Sequence, residues 1–219
     1  MSDLAWLLLV YRVPSEPASK RVGVWRELKR LGALYLQQCV CIVPQRAELA
    51  DELEQIVARI TALEGEATLF EIPRLRPGDE ARVLAAFREL RDKEYAEIVE
   101  ECATKFVKEI EFEHFRQNYS YAESEEIAQD LEKIRRWFAR VVARDWFGGA
   151  RRGEVEAWID HCQALLDGFE HAVYQRQGDD GGPQLPVLPL APLPIPLPSR
   201  EGNEDDNAED SAPPKEARS

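Results

Sequence analysis

The sequence predicts an α+β fold. A ferredoxin-like βαββαβ domain comes first, then an antiparallel helical region, then a disordered proline-rich tail. Three observations lead to this reading. Apolar runs alternate with amphipathic helical patterns over residues 4–76. Helical periodicity alone continues over residues 79–176. From residue 178 to 219, proline and acidic residues replace both patterns.

Leu4 to Val13 is apolar on both faces, too short for a convincing helix, and stopped by Pro14. It reads as a central strand. Pro17 to Leu31 reads as a helix, with Val24, Trp25, Leu28 and Leu31 as its apolar face and Gly32 as its stop. Ala33 to Leu36 and Cys39 to Val43 form a hairpin around Gln37-Gln38, closed by Pro44. Ala47 to Leu63 is a second amphipathic helix through Leu49, Leu53, Ile56, Val57 and Ile60. Ala67 to Ile72 is the fourth strand, ended by Pro73. This order implies a sheet with helices on one face.

The helical region holds three stripes. The first runs through Val83, Leu84, Phe87 and Leu90 into Ile98, Cys102, Phe106 and Ile110. The second begins near Glu123, where Ser120 can form a capping box, and continues through Ile127, Leu131, Ile134, Phe138, Val141 and Val142. The third runs from Val155 to Val173. In the tail, Gln184 to Pro198 is rich in Pro and Leu and favours an extended polyproline II rod. It reads as a solvated tail or as a docking rod for a protein partner.

Composition narrows the function. A chain of 219 residues with 44% hydrophobic and 32% charged residues can build a real core and remain soluble. Its net charge of −13 excludes a uniformly basic nucleic-acid coat, though not a local basic face. No apolar run approaches the roughly 18–20 residues a membrane helix needs. With no export signal visible, a cytoplasmic location is expected. Four cysteines are too sparse for a disulfide scaffold.

The local basic face lies at the start of the chain. Residues 1–47 hold seven basic and three acidic residues, a net of +4. Arg26, Lys29 and Arg30 stand at i, i+3 and i+4 on the first helix, opposite its apolar stripe. Arg12, Lys20, Arg21 and Arg46 add charge nearby in sequence. Rigidly held cations suit phosphate contacts, which supply affinity without sequence choice. The bland reading is a solvated face.

Other motifs carry less. Cys39-x-Cys41 on a strand would place both thiols on one face, but two thiols do not complete a zinc site. Cys102 and Cys162 fall on apolar stripes and read as core. Glu111-x-x-His114 lacks the second half of a di-iron carboxylate site. Gly148 to Gly153, with Arg151 and Arg152, could hold an oxyanion or be a plain interhelical loop.

Trp6-Leu-Leu-Leu-Val10, Pro14, Val24-Trp-Arg-Glu-Leu-Lys-Arg-Leu-Gly32 and Cys39-Val-Cys-Ile-Val-Pro44 resemble the N-terminal domain of the chromate resistance protein ChrB family. Glu123 with Glu125 and Glu126, Leu131 to Trp137, and Arg144-Asp-Trp-Phe-Gly148 resemble that family's second motif. The resemblance spans roughly residues 4 to 176. It implies a cytoplasmic, dimeric regulator of chromate resistance that binds DNA upstream of an efflux gene. The chain departs from the family at Cys39, where the family tends to have Gly, and in ending with the proline-rich tail instead of a further domain. The first 76 residues also resemble the ferredoxin-like domain of phenylacetate repressors and of small CRISPR adaptation nucleases. Those nucleases place a metal-binding aspartate where this chain has Arg12, a charge that repels a divalent metal.

The expected function is therefore a DNA-binding transcriptional regulator, not an enzyme, and without a cofactor. Arg12, Lys20, Arg21, Arg26, Lys29 and Arg30 are the candidate DNA contacts. The expected partners are DNA, a second copy, and a protein reached through the proline-rich tail, with no membrane. The alternative is a protein-interaction module of the chromate resistance system that does not touch DNA.

Overall fold

A computed structural model describes residues 4–14, 16 and 18–178. The elements are β1 (Trp6–Arg12), α1 (Ala18–Arg30), β2 (Leu34–Gln37), β3 (Val40–Pro44), α2 (Ala47–Ala62) and β4 (Glu66–Ile72), followed by α3 (Pro77–Glu100), a π-helical segment (Glu101–Phe106), α4 (Val107–Arg116), α5 (Tyr121–Val142) and α6 (Arg152–Gly178). The tail expected to be disordered lies outside the described residues, apart from Gly178. The four strands form one antiparallel sheet in the order β2-β3-β1-β4. β1 is central, as its two-sided apolar composition requires.

One sheet face carries Leu7, Leu9, Tyr11, Cys41 and Val43 against Val24 and Leu28 of α1 and Leu49, Leu53, Ile56 and Ile60 of α2. Each such side chain, fully buried, contributes roughly 1.5–3 kcal/mol. α1 stops at Gly32, whose φ is 74°. There Gly32 N donates to Lys29 O and Ala33 N to Leu28 O, so the last carbonyls are satisfied by a left-handed turn. Gly65 is required for a different reason. A Cβ there would lie 2.5 Å from Arg12 O, where the end of α2 crosses β1.

The expectation of helices on one face only needs correction. At one end of the opposite face, Trp6, Leu34 and Ile42 are covered by Val83 and Phe87 of α3. Trp6 stacks on Phe87 at 6.0 Å and tilts against Phe147 at 5.7 Å. The cause is connectivity. β4 ends at Ile72, the partner of Trp6, and α3 starts a short loop later, so its first turns fold back over that end. The rest of this face, with Val10 and Phe70, is exposed.

Cys39 and Cys41 do not share a strand face. Cys39 sits in the β2–β3 turn with φ 63°, exposed, and β3 begins after it; Cys41 is buried. A non-glycine residue in this left-handed region costs roughly 1–2 kcal/mol. Cys39→Gly removes that strain but adds backbone entropy to the unfolded chain, so a net gain of about 0.5–1 kcal/mol is expected. A higher denaturation midpoint checks it, and a lower one contradicts it.

The three helical stripes bury against one another in a second core that includes Tyr95, Ile98, Phe106, Ile127, Leu131, Trp158, Cys162 and Phe169. The first stripe forms one continuous rod, α3 through α4, with the π-helical segment inside it. Ile98, Cys102, Phe106 and Ile110 recur every four residues, a spacing that drifts by about 40° per repeat on an α-helix. A wider π turn offsets that drift and keeps all four side chains buried. Ser120 caps α5 by accepting from Glu123 N at 3.2 Å.

At the end remote from the sheet, His114 Nδ1 meets Tyr119 OH at 2.8 Å, and both rings pack on Phe169. Burial, aided by Arg176, lowers the His114 pKa below its ordinary 6.5. The folded state therefore favours the neutral ring. Its contribution is complete above pH 6.5 and is lost as pH falls through the folded pKa. The thermal midpoint should fall as the pH is lowered below 6.5, and His114→Gln should flatten that slope. An equal slope in the variant would contradict this.

Candidate nucleic-acid interface

α1 is anchored through Val24 and Leu28, so the residues a half-turn away must face solvent. Arg26, Lys29 and Arg30 are exposed there, and Arg21, one turn before Val24 near the start of the helix, is exposed as well. Lys29 and Arg30 form the last turn, where the helix dipole also favours cations. The single carboxylate of α1, Glu27, is held by Arg59 of α2 and so is turned away from the basic face. Among the described residues, none of Arg12, Lys20, Arg21, Arg26, Lys29 and Arg30 has an ion-pair partner.

The six candidates do not form one patch. Arg26, Lys29 and Arg30 come together, with Arg21 at the start of the same helix. Lys20 is half-buried, in helical register with Glu27 on the side toward α2. Arg12 belongs to the opposite sheet face from α1, since Tyr11 packs under the helices and side chains alternate. Arg46, at the start of α2, lies over the Trp146 ring at 5.0 Å.

Trp25 is the residue that periodicity misplaces. It stands beside Leu28 on the helical wheel but is 44% exposed, with Lys29 Nζ 4.7 Å from its ring centroid. Val22, Trp25, Arg26 and Lys29 thus share one solvent face. Guanidinium and ammonium groups there can contact phosphates, and an indole can stack on a base or wedge between bases. The missed signal was the cationic flank on both sides of Trp25, which a core position rarely has.

The clamp that positions α1 comes from the segment after α5. Trp146 Nε1 donates to Leu31 O at 3.3 Å, and Gly32 lies against Arg144 with no room for a Cβ. Glu94 of α3 accepts from Arg144 at 2.8 Å and pairs with buried Arg91 at 2.6 Å. Tyr95 OH donates to Asp145 at 2.9 Å. Burial pushes the Arg91 guanidinium below its ordinary value, against the pull of Glu94. Arg144-Asp-Trp-Phe-Gly148 is therefore a structural joint between sheet and helices.

The other motifs are engaged structurally. Gly149 N donates to both Asp145 oxygens, Arg151 N donates to Asp92, and Arg151 grips Glu154 through two nitrogens, so this loop's donors already face carboxylates. Cys102 and Cys162 are fully buried in the helical core. Far from α1, Glu109 on α4 is held above the usual carboxylate range by burial and by Asp130, Glu126, Glu123 and Glu113.

Comparison with known proteins gives two matches. A family model described as Protein ChrB, N-terminal, matches residues 21–180. Protein ChrB of Cupriavidus metallidurans is 28% identical over 102 residues, covering 47% of this chain and 31% of that protein's length. No solved structure matches.

Proposed function

The chain belongs to the ChrB N-terminal family, and from this premise we propose that it is a non-enzymatic, DNA-binding regulator of a chromate resistance system, acting in the cytoplasm. The carrying observation is the α1 surface. Arg26, Lys29 and Arg30 are exposed and, among the described residues, without ion-pair partners, beside an exposed Trp25, in a chain of net charge −13. The strand order β2-β3-β1-β4 supports a ferredoxin-like module that presents this helix rigidly. A homodimer fits the same reading, because a second copy would double the phosphate contacts. Among the described residues no helix is long and apolar enough to cross a membrane.

The test is fluorescence anisotropy of the full chain on a duplex taken from upstream of its own gene, titrated with salt. Cationic contacts to three phosphates give a slope of log K against log salt near −2.7 or steeper. Binding that ignores salt, or no binding at low salt, would overturn the reading and favour the protein-interaction alternative.

A further inference from the structure

The cations of α1 do not stop at the end of their helix. Trp146 Nε1 donates to Leu31 O, the residue after Arg30, and the ring of Trp146 lies under the Arg46 guanidinium. At the same turn Gly32 abuts Arg144, which donates to Arg140 O at 3.3 Å, one helical turn back along α5. A chain of direct contacts therefore joins the last turn of α1, the start of α2 and the last turn of α5. Each of the three presents a cation there. α1 carries Lys29 and Arg30, Arg46 precedes α2, and Arg140 stands in the last turn of α5; all four are exposed.

Arg140 belongs to a cationic stretch. Residues 133–144 hold five basic residues and no acidic one, in a chain of net charge −13. Four of the five are engaged. Lys133 pairs with Asp130 at 2.5 Å, Arg135 donates to Gln163 at 2.6 Å, Arg136 to the Glu132 carbonyl at 3.3 Å, and Arg144 to Glu94 at 2.8 Å. Among the described residues, the Arg140 and Arg46 guanidiniums have no ion-pair partner. One turn either side of Arg140 stand Arg136, Trp137, Ala143 and Arg144, so its own helix offers it no carboxylate. The acids of the joint are committed: Glu94 to Arg91 and Arg144, Asp145 to Tyr95 and Gly149 N, Glu27 to Arg59. Glu48, the acid nearest to Arg46 in sequence, lies in the first turn of α2, where the helix dipole favours it.

We propose that the nucleic-acid footprint crosses this joint: Arg46 and Arg140 contact backbone phosphates together with Arg26, Lys29 and Arg30, so that the sheet domain and the helical region grip one polyanion. The proposal rests on α1 being a DNA contact surface. Unpaired guanidiniums match phosphate oxygens both in charge and in forked geometry. The Glu94 network and Trp146 fix the spacing between the two groups of cations before DNA arrives, which lowers the ordering cost of binding.

The test is a salt titration of the full chain on a duplex from upstream of its own gene, with three double variants beside the parent. Arg46→Gln with Arg140→Gln should make the slope of log K against log salt shallower by about 1.8 and lower affinity about 60-fold near 0.1 M salt, at roughly 0.9 per lost phosphate contact. Arg46→Lys with Arg140→Lys keeps both charges and should restore the slope, which a merely structural role would not move. Lys105→Gln with Lys108→Gln removes the same charge from exposed positions on the π-helical segment and α4, and should change neither slope nor affinity by more than about a tenth of the effect. A parent chain that binds, beside an arginine-to-glutamine variant with the same slope, would overturn this inference and leave α1 as the contact surface. A parent chain that does not bind would overturn both. An equal loss in the Lys105 and Lys108 variant would overturn the inference by assigning the effect to net charge alone. A lysine variant as shallow as the glutamine one would overturn it as well.

Discussion

Reversing Arg26, Lys29 and Arg30 to Glu is expected to lower DNA affinity by at least about 500-fold near 0.1 M salt. The size follows from counterion release. Each phosphate contact contributes roughly 0.9 log unit between 1 M and 0.1 M salt, so three contribute roughly 2.7. Reversal adds repulsion to that loss. The salt slope should become shallower by a similar 2.7, about 0.9 for each lost contact. The fold should survive, because all three side chains are exposed and none of them is ion-paired among the described residues. Only the weak stacking of Lys29 on Trp25 is lost, about 0.5–1 kcal/mol at an exposed site. Trp25→Ala separates charge from contact. It should weaken binding while leaving the slope unchanged, since an indole releases no counterion. Unchanged affinity in the triple variant, with an unchanged circular dichroism spectrum, would remove α1 as the contact surface.

The second large effect is on stability. Glu94→Ala is expected to cost about 3 kcal/mol, near the low end for removing one partner of a buried ion pair. Two cations depend on this carboxylate: Arg91 at 2.6 Å, 7% exposed, and Arg144 at 2.8 Å, 16% exposed. Without it both guanidiniums stay desolvated, with Asp145 the remaining nearby acid. The Nε atoms of Arg91 and Arg144 already lack hydrogen-bond partners, so the site has nothing in reserve. The network is expensive to break, which does not make it a net source of stability; a packed apolar trio could serve as well. Glu94→Gln keeps an acceptor and should lose less than Glu94→Ala. A urea midpoint for Glu94→Ala equivalent to under 1 kcal/mol of loss would contradict the argument. Arg144 packs at Gly32 and Trp146 holds Leu31, so the same variant should also loosen α1 and accelerate amide exchange in its last turn.

Local pattern was a good guide wherever one residue's neighbours in sequence are also its neighbours in space. Pro14, Gly32, Pro44 and Pro73 punctuate the elements near where they end. Ser120 caps α5 as the spacing of Ser120 and Glu123 implied. The repeat of Ile98, Cys102, Phe106 and Ile110 marked a single rod, but its π turn was legible only as a four-residue drift. The candidate site was half legible. Arg26, Lys29 and Arg30 share a face because α-helical geometry alone places them there.

What the sequence determined by itself is the alternation of strand and helix, the helical second half, and the local excess of cations in an acidic chain. Periodicity and charge are properties of short stretches. Which of those cations act together was decided by the tertiary structure. The pleat of β1 sends Arg12 to the far sheet face, and Arg59 of α2 holds Glu27 away from the basic face. Trp25, at the border of the apolar stripe, is exposed because neither α2 nor the sheet extends over it. Whether a border residue is covered depends on how far a neighbouring element reaches, and that distance is set by the packing of segments remote in sequence.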